Sequence, residues 1–392
     1  MGMLRLYMTL AIVSIHANAK VFPWPVNNGL ETLELFFLIS GFYMGLISSK
    51  YKSAAEFYAS RGLRILVPYF VILAFVLLLS VVSGLAFGRW LSLDAYATYT
   101  PEKNGLAGVI VAALTNLTVF FQDWIFFIKH LPGESLTFTA HFKAFPPPLY
   151  LYLLIQPAWS ISIELMFYLL VPFLAKLRTR WLAVIAALSL AARLYVYNGL
   201  GLVDDPFAFR FFPFELLLFV TGLIIYRVYA HTLMKKDEAL TVKTFWQYAL
   251  VAAAMIALGF ALQRGAVLLR HPVGRAYAPL VSYIFWLPVI PLAFHLTRNW
   301  KLDRFLGEIT YPIYLAHFVI IQFVDVLFVR AGFSSRFLGL TSAAVATGLA
   351  ILLYARVFEP VERRRGDLAR AWSARWGKRP ALPSNEAGSS ST

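Results

Sequence analysis

Residues 3–20 read Met3-Leu-Arg5-Leu-Tyr-Met-Thr-Leu-Ala-Ile-Val-Ser-Ile-His16-Ala-Asn-Ala-Lys20, an apolar run with one arginine near its start and one histidine inside it. Wound as an α-helix, the eleven steps from Arg5 to His16 return to within roughly 20° of the starting direction and climb about 16 Å. Both side chains then share a face, about half a bilayer thickness apart. An ionisable residue inside a membrane span is costly and marks a functional site by default. His16 is also the side chain best suited to moving a proton near neutral pH. Two plainer readings of the run exist. One is a cleavable signal peptide, for which Ala17-Asn18-Ala19 has the small-residue pattern. The other is a histidine bonded to a neighbouring helix for packing alone.

Working outward, the composition of the 392-residue chain, 60% hydrophobic and only 14% charged, excludes a soluble domain and indicates a polytopic membrane protein. Apolar runs near the length of a spanning helix, without ten-residue alternating strands, predict an all-α helical bundle and not a barrel. There is no cysteine, which removes thiol nucleophiles, disulfides and thiolate-bound metal. The net charge of +15 sits in short connections and the C-terminal tail, so it points to anionic lipid and membrane orientation, and no nucleic-acid partner is expected.

The apolar stretches fall at about 3–20, 31–49, 65–87, 105–128, 149–175, 180–198, 208–230, 245–263, 278–297, 305–329 and 337–358. Basic connections occupy Lys50–Arg64, Lys176–Arg180, Arg227–Lys243, Arg298–Arg304 and Arg356–Arg379, whereas Gly199–Phe209 carries Asp204 and Asp205. Placing every basic connection in the cytoplasm requires one stretch between Arg64 and Lys176 not to cross. Stretch 105–128 fits best, being interrupted by Asn116 and followed by Gln122-Asp123. About ten transmembrane helices result, plus one re-entrant or interfacial helix, in a plasma membrane with both termini cytoplasmic. Residues 1–358 form the membrane domain. Residues 359–392 form a basic amphipathic stretch on the cytoplasmic surface and a Ser-rich disordered tail.

Three polar clusters lie in this apolar frame. The second span reads Glu31-Thr-Leu-Glu34-Leu-Phe-Phe-Leu-Ile-Ser40-Gly41-Phe42. Glu34 is expected at a depth similar to that of His16, where a carboxylate would raise the imidazole's basicity and hold its tautomer. Ser40-Gly41 removes bulk, admitting another helix or a ligand arm. Arg61 and Arg64, three apart, share a helix face and with Arg5 could clamp a phosphate-bearing ligand, although anchoring explains most such arginines. The third cluster is Pro157-Ala-Trp159-Ser160-Ile-Ser162-Ile-Glu164, in which Ser160 and Glu164 share a face. Arg210 precedes Glu215 in a later span, and Leu306-Gly-Glu308 runs on to Tyr314 and His317.

Taken in order, these clusters resemble the integral-membrane acyltransferase 3 family, ten-helix enzymes that O-acylate surface glycans, lipids and some secondary metabolites. Arg5 and His16 look like its Arg-ten-residues-His signature. Glu34-Leu-Phe-Phe-Leu-Ile-Ser40-Gly41-Phe42 looks like its acidic-Leu-Phe-Phe…Ser-Gly-Phe segment, and Arg61…Arg64 like its paired arginines. Pro157…Glu164 resembles its Trp-Ser-Leu-Ser-Val-Glu-Glu stretch, and Leu306…His317 its Leu-Gly…Tyr-Leu-Trp-His segment. The chain departs at Leu165, where the second Glu would stand, at Ala316 for Trp, and at Glu34 for the more usual Asp.

The resemblance implies a cytoplasmic acyl-CoA donor, most often acetyl-CoA, no permanently bound cofactor or metal, and a carbohydrate or lipid-linked acceptor hydroxyl on the outer side. His16 would act as general base or carry the acyl group, with Glu34 or Glu164 orienting it. Arg5, Arg61 and Arg64 would hold the nucleotide phosphates, and Ser40, Trp159, Ser160 and His317 would contact substrate. Lipid-linked glycosyltransfer is disfavoured because 21–30 contains no acid, and di-iron desaturation because the seven histidines are isolated. A secondary transporter or flippase remains the non-enzyme alternative.

Overall fold

The computed structural model describes residues 1–18, 29–101, 105–131, 133–234 and 272–375, with parts of 246–261. Its architecture is a helical bundle. In chain order the main helices are α1 (Gly2–His16), α2 (Gly29–Ser48), α3 (Ala54–Phe87), α4 (Leu106–Thr118), α5 (Trp159–Leu174), α6 (Thr179–Gly199), α7 (Phe212–Thr232), α8 (Pro272–Thr297), α9 (Lys301–Ala331), α10 (Leu338–Leu353) and α11 (Glu359–Arg375). The expected stretch at 245–263 lies largely outside the described residues. Among the described residues, eight helical segments are long and apolar enough to cross a membrane. Large apolar side chains such as Leu78, Leu85 and Leu188 face outward, as a lipid solvent allows and water does not. The protein is a multi-pass membrane protein.

Local sequence sets the helix ends. Ser53 caps α3 by accepting from the Glu56 amide at 3.1 Å, while Glu56 accepts from the Lys52 amide at 2.9 Å. Gly88, at φ +70°, closes the same helix in the left-handed conformation that glycine adopts without strain. With 34 residues, α3 is about 51 Å long, so its first turns, carrying Arg61 and Arg64, extend past the roughly 30 Å apolar layer.

Helix α4 has 13 residues and is about 20 Å long, too short to cross. Asn116 serves as its staple. Its Nδ2 donates to the Tyr152 carbonyl at 3.0 Å and its Oδ1 accepts from the Leu154 amide at 2.8 Å, tying α4 to the irregular chain before α5. Residues 128–129 and 137–138 form a two-strand antiparallel pair beside it. The apolar stretch expected from residue 149 becomes regular α-helix only at Trp159, because Pro148 and Pro157 break the run into 3₁₀ turns. At the other end, α11 continues from α10 through one π-helical turn and packs against α3.

Helices α2 and α7 cross with their backbones in contact. A Cβ at Gly41 would overlap the Phe219 carbonyl oxygen, and one at Gly222 would overlap that of Leu38. Neither oxygen belongs to a flexible side chain, so only separation of the helices could relieve the clash. Gly41→Ala is therefore expected to destabilise the protein by about 1–3 kcal/mol, read as a lower melting midpoint in detergent. A midpoint equal to the parent's would contradict this packing.

Candidate active site

A cavity of about 340 Å³ opens at the arginine-rich end of the bundle, between α1, α2, α3, α5, α8 and α9. Its mouth is framed by Arg5, Arg61, Arg64, Arg298, Arg304 and Arg365, and its depth by Ser40, Ser160, Glu164, Tyr168 and Tyr314. The amino terminus helps to shape it. Met1 pairs with Asp303 at 2.5 Å and donates to Thr297 Oγ1, which brings the start of α1 to the α8–α9 junction.

The three expected phosphate-binding arginines all line this mouth, in different states. Arg5 has no side-chain hydrogen bond or ion pair among the described residues. Arg61 donates to Tyr51 Oη at 3.0 Å, while its buried Nε has no partner. Arg64 bridges two carboxylates, Glu308 at 2.8 Å and Glu362 at 3.0 Å, so a ligand phosphate would compete with both. Deeper in, Glu164 accepts from Ser40 Oγ at 2.7 Å and from Tyr168 Oη at 2.6 Å, which brings together two residues remote in sequence. Ser160 shares a 2.8 Å hydroxyl contact with Tyr314. Trp159 is buried and packs on Arg210 instead of facing the cavity.

His16 closes α1, and its ring meets His317 of α9, with Nδ1 2.7 Å from Nε2. The next bond fixes the proton positions. His317 Nδ1 lies 2.6 Å from the Tyr314 carbonyl oxygen, which can only accept, so Nδ1 of His317 carries hydrogen. In the neutral ring its Nε2 is then an acceptor, and His16 Nδ1 must donate to it. That leaves His16 Nε2 with a free lone pair and no hydrogen-bond partner among the described residues. A relay that holds one tautomer and leaves the other nitrogen basic is what a general base requires.

The expected pairing of His16 with Glu34 does not occur. Glu34 points into a different buried cluster, where Arg193 Nη2 reaches it at 3.0 Å and Glu215 at 2.5 Å, and where Tyr283 Oη also donates to it. The ring that His16 meets is that of His317, not a carboxylate. Arg193 is not among the residues that the sequence singles out. An arginine in the interior of the apolar run 180–198 is the available signal, since a buried guanidinium needs partners. Tyr314, in sequence only one residue of the run to His317, links Ser160 to His317 in the fold.

Outside the spans, Asp123 is buried and accepts from Ser162 Oγ at 2.7 Å. Burial pushes its carboxyl up to about 7, outweighing the hydrogen bonds that favour the charged form. Such a group holds its proton more tightly folded than unfolded. Its stabilisation is complete below about pH 4 and is lost as pH rises through about 7. The melting midpoint of the parent should thus fall between pH 5 and pH 8, and that of Asp123→Asn should fall less. Parallel pH curves for the two proteins would contradict this.

A family model described as an acyltransferase domain matches residues 3–355, nearly the whole chain. No curated protein and no solved structure matches it.

Proposed function

Because the chain belongs to the acyltransferase 3 family, and is a membrane O-acyltransferase, we propose that it moves an acyl group, most simply acetyl, from cytoplasmic acyl-CoA to a hydroxyl of an extracytoplasmic glycan or glycolipid. The observation that carries this reading is the His16–His317–Tyr314 relay, which leaves one basic nitrogen on the first helix.

The division of the bundle supports the donor side. Short basic connections favour the cytoplasm, which puts the arginine-lined mouth and both termini on that face. Arg5, with no carboxylate partner, and Arg61 would bind phosphate oxygens of the donor, and Arg64 would do so by exchanging Glu308 or Glu362 for phosphate. The cavity then takes the slender thioester arm past Ser40, Glu164 and Ser160 toward Tyr314, one helical turn from His317. Ser40 and Ser160 offer hydroxyls to that arm, and Glu164 holds Ser40 in place.

At the reacting end, His16 Nε2 takes the proton of the acceptor hydroxyl as its oxygen attacks the thioester carbon. The imidazolium so formed keeps its Nδ1–H on His317 Nε2, and the bond strengthens as the donor becomes charged. The thiolate leaving group then takes the proton back from His16. His317 is a positioning residue here, because it acts through His16.

Purified protein in vesicles, with radiolabelled acetyl-CoA on the side of the arginine-rich mouth and a glycan acceptor, tests the reading. Label should appear as an ester on the acceptor. Arg5→Gln should raise the donor KM by about tenfold, as expected for one charge-assisted phosphate contact, with kcat little changed. Absence of labelled ester from the parent would refute the proposal. An unchanged KM in Arg5→Gln would remove Arg5 from the donor site.

A further inference from the structure

At the end of the bundle away from the arginine-rich mouth, the connection from α6 to α7 carries a second, differently built cation. Residues Asp205 to Arg210 lie just before α7, whose other end meets α8 near the mouth through Tyr229, His295 and Arg298. The Arg210 guanidinium stacks over Phe126 at 3.8 Å and over Trp159 at 4.1 Å, measured to the ring centres. Asp205 accepts from its Nε at 2.6 Å and from its Nη2 at 3.3 Å. The third nitrogen, Nη1, is buried and has no partner.

Each of these facts restricts what Arg210 can do. Aromatic faces and a two-point carboxylate contact fix the plane of the guanidinium, so it cannot swing out to solvent. Two N–H donors on a fixed, buried cation are costly when they meet no acceptor. A donor held in advance, in a dry setting, is the device that stabilises charge appearing on an oxygen during acyl transfer. Asp205 balances much of the positive charge, which makes the pair a weak trap for a permanent anion. It leaves Nη1 free to bond an oxygen that is uncharged in the bound substrate.

Arg210 is also tied to the histidine relay. Trp159, which it stacks on, precedes Ser160, and the Ser160 hydroxyl contacts Tyr314 at 2.8 Å. Tyr314 in turn fixes His317, and His317 fixes His16.

We propose that Arg210 Nη1 is a catalytic donor that binds the acyl carbonyl oxygen and holds the oxyanion formed during transfer. The inference rests on the acyl-transfer reading above. As His16 Nε2 takes the acceptor's proton, the acceptor oxygen bonds to the carbonyl carbon and the carbonyl π pair moves onto its oxygen, against Nη1. Collapse re-forms the C=O bond, breaks the C–S bond, and the departing thiolate receives the proton from His16. No other reactant is needed.

The test compares Arg210→Lys and Arg210→Ala with the parent and with His16→Ala, in vesicles with acetyl-CoA and acceptor. Both Arg210 variants should lose about 10²–10³-fold in kcat, with donor and acceptor KM within about threefold of the parent. Added guanidinium chloride should restore part of the Arg210→Ala rate, and equal sodium chloride should not, a response that a purely structural clamp would not give. An unchanged kcat, a loss confined to the acceptor KM, or a loss that guanidinium leaves in place would overturn the inference. A parent that transfers no label, or a His16→Ala variant as fast as the parent, would instead bring down the reading beneath it.

Discussion

Arg193→Met is expected to leave little folded protein in the membrane fraction. The guanidinium is buried between Glu34 of α2 and Glu215 of α7, with both carboxylates at hydrogen-bond distance. Its removal strands two carboxylates in an apolar interior, and each must then ionise unpaired or take a proton. Breaking a buried pair from one side costs about 3–5 kcal/mol, a large share of the roughly 5–15 kcal/mol that holds a typical domain together. Adding Glu34→Gln and Glu215→Gln to the same chain removes the stranded charges and should recover most of the folded yield, read as a monodisperse peak after detergent extraction. A single Arg193→Met variant with the parent's yield and melting midpoint would show that the cluster is not a fastening point between α2, α6 and α7.

The second large effect concerns the two histidines. His317→Ala removes the acceptor for His16 Nδ1, so the imidazole can turn and change tautomer. About 10²-fold of kcat should go with it, within the range that positioned proton transfer contributes. His317→Gln, which keeps an acceptor oxygen on a side chain of moderate length, should lose less. In a His16→Ala background the same substitution should cost almost nothing further, because residues that act as one unit are not additive. Equal fold-losses from His317→Ala in both backgrounds would mean that His317 works on its own, for instance on substrate, and not through His16.

The first helix was legible because its information is local: eleven residues fix the angle between Arg5 and His16, and no distant contact alters that. The short α4 was legible for a similar reason, since Asn116 and Gln122-Asp123 interrupt the apolar run. Partner choice was not local. Glu34 meets Arg193, 159 positions later, and His16 meets His317, 301 positions later. Spacing along one helix cannot express such pairings. Depth alone suggests Glu34 for His16, but depth does not say which way around the helix a side chain points. The arginines at the mouth were found by their mutual spacing, whereas the capture of Arg64 by Glu362 depends on α11 turning back onto α3. What an arginine inside an apolar stretch does signal is a carboxylate partner, and Arg193 and Arg210 both have one.

The central claim is that acyl transfer runs through the free Nε2 of His16, and the rate of labelled-ester formation by His16→Ala in reconstituted vesicles tests it most directly. The variant should fold and bind acetyl-CoA as the parent does, yet form ester about 10³-fold more slowly or not at all. Ester formation at the parent's rate would contradict the claim, whatever the other substitutions do.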